Sequence, residues 1–104
     1  MRKATEDFLW SYGLTPRYLG FYYIGEILEQ ALDNQFILQN MFDIIAKEHE
    51  VSRSSVYQSV SLALARMDLS EAFPGSRRDR IYYKIRFLVK KLEEKVQAQE
   101  LQTK

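Results

Sequence analysis

The chain has 104 residues, 46% of them hydrophobic and 28% charged, with a formal net charge of +1, no cysteine and one histidine, His49; that is enough for one ordinary core and too little for two. This composition excludes a disulfide framework, a thiolate zinc or iron–sulfur site and a cysteine nucleophile, and leaves a metal site or a Ser/His/Asp triad only one imidazole to build on. No run approaches the ~20 apolar residues of a membrane span, and the opening MRKATEDFLW carries two acids where a secretory or transit peptide is acid-poor, so a cytoplasmic chain is expected.

In chain order, Thr5 followed by Glu6 and Asp7 reads as an N-cap with acids in the first turn, and Phe8, Leu9 and Tyr12 give a short apolar face that Gly13 ends. Thr15 and Pro16 form a second start signal. Phe21, Ile24, Ile27, Leu28, Ala31 and Leu32 then recur at helical spacing up to Asp33 and Asn34. Residues 35 to 40 lead into MFDIIAKEHE, a third helical segment. Ser52 caps a fourth helix with the apolar stripe Val56, Val60, Ala63, Leu64 and Met67. Asp68 to Ser76, with Pro74 and Gly75, reads as a linker. Ser76 caps a last long helix with Ile81, Ile85, Leu88, Val89, Leu92 and Val96 on one face, and residues 97–104 are expected to fray. The fold class is all-α: one compact domain of five or six helices over residues 1–104, with no repeat.

The near-neutral charge hides a gradient. Residues 1–50 hold four Lys/Arg against eight Asp/Glu, whereas residues 77–104 hold nine against four. A basic, partner-facing surface is therefore expected at the C-terminal end, unless an acidic and a basic helix simply pack side by side.

The most informative run is Ile44 to Leu64. Two helices joined by a very short turn form the arrangement that presents a second helix to a DNA major groove, with a helix-turn-helix spanning about residues 42–67. Ile45 and Ala46 take the inner face of its first helix, Val51 plugs the turn, and Val56 and Val60 anchor the second helix from below. Glu50 stands where such motifs often have Gly at positive φ; a Glu there costs of order 1 kcal/mol, so a longer or differently shaped turn is expected.

The residues Ile45 to Tyr57 (IAKEHEVSRSSVY) resemble helix-turn-helix motifs of the form I-A-K-E-x-x-V-S-R-S-S/T-V-Y. With Gly13, Leu14 and the run PRYLGFYYIGEIL from Pro16 to Leu28, the stretch from Tyr12 to Met67 is similar to the C-terminal effector domain of the stage zero sporulation protein A family of response regulators. That resemblance implies an all-helical DNA-binding module that regulates transcription. The family's strongly charged recognition helix is matched here by Ser55, Tyr57, Gln58, Ser61 and Leu62, so its base-reading set does not carry over.

On its own chemistry the outer face of the fourth helix centres on Gln58, with Ser54, Ser61, Leu62 and Ala65 beside it and Ser55 and Tyr57 on the flanks. Gln58 can pair with adenine, the serines with base edges or phosphates, and Leu62 with a thymine methyl. With Arg53 at the helix start, the expected DNA-binding set is Arg53, Ser54, Ser55, Tyr57, Gln58, Ser61 and Leu62. Expected phosphate contacts are Arg77, Arg78, Arg80 and Lys84, from a basic flank of the last helix that also includes Lys91 and Lys95; the alternative is a solvated flank bordering the core.

The remaining clusters suggest structure more than chemistry. Glu26, Glu29 and Asp33 read as the wet side of the second helix, the aromatic corner of Trp10, Tyr12, Tyr18, Phe21, Tyr22 and Tyr23 as core, and His49 as a packed, hydrogen-bonded imidazole. No catalytic residue, metal or cofactor is expected. The expected partner is double-stranded DNA, bound by a homodimer or tandem assembly; the rival is a protein-interaction module that kept the scaffold and lost base readout.

Overall fold

The computed structural model of the chain describes residues 1–33, 38–69 and 81–102. These form five helices and no strand: α1 (Lys3–Ser11), α2 (Leu19–Asp33), α3 (Leu38–Glu48), α4 (Arg53–Arg66) and α5 (Ile81–Gln102). The chain is thus the all-α bundle that its periodicities imply, and no described helix is long and apolar enough to cross a membrane. The expected Ser76 cap and the linker from residue 70 onward lie outside the described residues.

Two helix starts differ from the sequence reading. α1 begins at Lys3 with Arg2 at the N-cap, and Thr5 lies fully buried within its first turn. Thr5 precedes Phe8 and Leu9 by three and four residues, so it shares their inward face. Thr15 and Pro16 open a turn closed by the Tyr18 N–H on the Thr15 carbonyl (3.2 Å), and α2 starts only at Leu19.

α2 is the hub, in contact with each of the other four helices. Its buried residues Phe21, Tyr23, Ile24, Ile27 and Leu28 join Phe8 and Leu9 of α1, Phe42 and Ile45 of α3, Val56, Val60 and Leu64 of α4, and Ile81, Ile85, Leu88 and Leu92 of α5 in one contiguous core. The aromatic corner divides: Phe21 and Tyr23 are buried, Tyr12 and Tyr18 half-buried, and Trp10 and Tyr22 exposed.

The most extensive helix pairing is α2 on α4, and Gly20 makes it possible. A β-carbon at Gly20 would lie 2.4 Å from the Ala63 β-carbon and 2.5 Å from the Ser59 carbonyl oxygen, so only hydrogen lets the two backbones approach this closely. This crossing fixes the inner face of α4 and leaves its opposite face outward.

Candidate nucleic-acid interface

α3 and α4 are separated by four residues, His49 to Ser52. The Val51 N–H donates to the Ala46 carbonyl (3.0 Å) and the Glu50 N–H to the Lys47 carbonyl (3.3 Å), a Schellman closure with Glu50 in the left-handed region at φ 54°. The expectation of a differently shaped turn is therefore not met: Glu50 adopts the conformation in which a Gly would be unstrained. Gly13 (φ 85°) closes α1 by the same two bonds, Leu14 N–H to Leu9 carbonyl (3.1 Å) and Gly13 N–H to Trp10 carbonyl (2.9 Å). Val51, expected to plug the turn, is 38% exposed; its backbone N–H, rather than its side chain, secures the turn.

Ser52 is the N-cap of α4. Its hydroxyl accepts from the Ser55 N–H (3.0 Å) and donates to the Ser55 hydroxyl (2.9 Å). The whole expected stripe, Val56, Val60, Ala63, Leu64 and Met67, is buried. On the other side Arg53, Ser54, Ser55, Tyr57, Gln58 and Leu62 are exposed and Ser61 is half-buried. Ser54, Ser55, Gln58, Ser61 and Leu62 therefore share one side of the helix with Tyr57 on its flank, while Arg53 is exposed by its place at the helix start.

That face is partly organised. Arg53, Ser54, Tyr57 and Gln58 line a shallow cleft of about 410 Å³ at the start of α4. The Arg53 guanidinium pairs through Nε with Asp43 Oδ1 (3.2 Å) and lies over the Phe42 ring, 5.9 Å from its centroid. Tyr57 meets the same ring edge-on at 5.8 Å, and Tyr82 of α5 approaches it at 6.2 Å. Phe42 thus brings the start of α5 beside the start of α4. The first turn of α4 itself holds no acid; the carboxylate at this helix start is that of Asp43 on α3.

The expected phosphate contacts fare differently. Arg77, Arg78 and Arg80 lie outside the described residues. Lys84 is only 7% exposed, so it is not part of an open basic flank. The reason is positional: Lys84 follows Ile81 by three residues and precedes Leu88 by four, which puts it on the buried stripe of α5. Of the other cations on this helix, Arg86, Lys90 and Lys91 are exposed and Lys95 is half-buried; Lys91 pairs with Glu94 (3.8 Å) and lies over Phe87 (5.8 Å).

A second cluster joins α2 to the end of α3, and linear spacing gave no sign of it. His49 is on the surface rather than packed inside, with Nε2 3.2 Å from Glu26 Oε2 and its ring edge-on to Tyr23 at 5.1 Å. Glu48 lies beside them. Its hydrogen bond to the Glu26 carboxyl pushes its pKa up, burial and the Glu26 charge add to this, and His49 opposes it. Glu29 and Asp33, farther along α2, are instead paired with Arg2.

Comparisons with protein-family models, with curated proteins and with solved structures found no match.

Proposed function

We propose that this chain is a cytoplasmic, sequence-specific DNA-binding transcriptional regulator in which α3 and α4 act as a helix-turn-helix and α4 as the recognition helix. The observation that carries the reading is the disposition of α4. One side is locked into the core by Val56, Val60 and the Gly20 crossing, and the other presents Arg53, Ser54, Tyr57, Gln58 and Leu62 to solvent after a four-residue connection.

Each outward group has a role in this reading. Arg53 and the open N–H groups at the start of α4 hold a phosphate, as helix starts do at anions. Gln58 pairs with adenine through N6 and N7, Ser54 and Ser61 bond base edges or the backbone, and Leu62 covers a thymine methyl. The resemblance to the sporulation-regulator effector domain supports the helix-turn-helix and not these individual roles, because that family's base-reading set does not carry over. With one reading head per chain, a dimer or a tandem pair on two half-sites follows.

One observation favours the rival reading. Leu62 is 65% exposed on a face whose only strong cation at the groove end, Arg53, is already paired with Asp43, which suits a protein-interaction module. A mobility shift with random-sequence duplexes at low salt separates the two. The proposal expects salt-sensitive complexes that Arg53→Ala/Gln58→Ala weakens at least tenfold; absence of any complex with the parent chain would sink it.

A further inference from the structure

We infer that Glu26, Glu48 and His49 form a binding site for a first-row divalent cation, of which Zn²⁺ is the type, at the junction of α2 with the turn between α3 and α4. This site is independent of the DNA reading.

Three observations meet here. First, one ligand atom from each residue falls within 4.8 Å of the others, and they come from two chain segments: Glu26 from α2, and Glu48 and His49 from the last residue of α3 and the first of the turn after it. Two donors bound to one zinc at ~2.1 Å and a near-tetrahedral angle stand about 3.4 Å apart, so His49 Nε2 and Glu26 Oε2, 3.2 Å apart, already have the spacing of a shared ion. Glu48, also on the surface, already holds a carboxylate oxygen within that 4.8 Å.

Second, the two carboxyls face each other with the His49 imidazole as the one basic group against them among the described residues. Among the described residues no Lys or Arg pairs with either, whereas Glu29 and Asp33 have Arg2. An added cation supplies the missing charge. Third, Glu26 and His49 open into a cleft of about 370 Å³ that also reaches Glu29, Gln30 and Asp33, leaving room for water on the remaining coordination positions. One imidazole with two carboxylates is a donor set suited to zinc. Tyr23, buried beneath the ring, fixes the position of His49.

His49 is the chain's one histidine and there is no cysteine, so its ring protons report this site alone. In the full chain without a histidine tag, titration with Zn²⁺ near neutral pH is expected to shift the His49 Hε1 and Hδ2 resonances saturably. Glu26→Gln and Glu48→Gln, which keep shape and hydrogen bonding, are each expected to weaken the response at least tenfold, with circular dichroism unchanged. Mg²⁺ at the same concentrations is expected to leave the resonances in place. No shift up to millimolar Zn²⁺ would overturn the site, as would equal binding by both glutamine variants, which would reduce it to a lone imidazole.

Discussion

Gly20 of α2 and Ala63 of α4 meet so closely that a methyl group on Gly20 would overlap Ala63 and the Ser59 carbonyl. Both obstructions belong to the α4 backbone or its β-carbon, so neither can swing aside. Gly20→Ala gains about 1 kcal/mol of helix propensity and incurs overpacking of about 1–3 kcal/mol. The difference is a net loss of up to about 2 kcal/mol, and the backbone obstruction puts it toward the upper end of that range, seen as a melting temperature lower by up to about 10 °C. Gly25→Ala is the control. Its β-carbon would meet the thioether end of Met1, which can move, so a neutral or slightly raised melting temperature is expected. A Gly20→Ala variant as stable as the parent would remove the crossing from the account of how α4 is held.

Glu50 and Gly13 carry the same left-handed backbone with opposite suitability. Glu50→Gly relieves the side-chain strain and is expected to stabilise the chain by about 0.5–1 kcal/mol, whereas Gly13→Ala destabilises it by about 1 kcal/mol. Chemical denaturation of the two variants checks the signs. Destabilisation by Glu50→Gly would mean that the Glu50 side chain contributes more than its strained φ costs.

The Thr5 hydroxyl is buried and has no hydrogen-bond partner among the described residues. Thr5→Val keeps the branched shape and removes the desolvated oxygen, so a gain of about 1 kcal/mol is expected in the same denaturation assay. A loss would show that the hydroxyl is satisfied in solution.

These three sites mark where local pattern stops deciding structure. The inner stripe of α4, from Val56 to Met67, was legible because amphipathic spacing is a property of one helix; the same holds for Ile81, Ile85, Leu88 and Leu92 of α5. The Ser52 cap was legible for the same reason, being settled within three residues. The residue types of Thr5 and Lys84 suggest a cap and a wet flank, while their register puts both on buried faces. Glu50 was read from its side chain, but the turn was set by the backbone bonds of Glu50 and Val51. The junction of Glu26, Glu48 and His49 depends on how α2 and α3 dock. Glu26 is more than twenty residues from the adjacent pair Glu48 and His49, and no periodicity links it to them.

Asp43 holds Arg53 through a surface ion pair, a contact worth about 0–1 kcal/mol. Asp43→Asn frees the guanidinium and removes a negative charge from the proposed DNA face. Duplex affinity in a fluorescence-anisotropy titration is expected to rise up to about fivefold, the equivalent of about 1 kcal/mol. Lower affinity would mean that Asp43 orients Arg53 for binding rather than competing with DNA for it.

Entry of the outward face of α4 into the DNA groove is read directly by amide chemical-shift mapping. A duplex retained in the mobility assay is titrated into isotope-labelled protein. The largest perturbations are expected on residues 53–62 of α4, with smaller ones at the start of α5, and Gln58→Ala is expected to reduce them. Perturbations that bypass α4, or that leave Arg53 through Leu62 unchanged at saturating DNA, would contradict it.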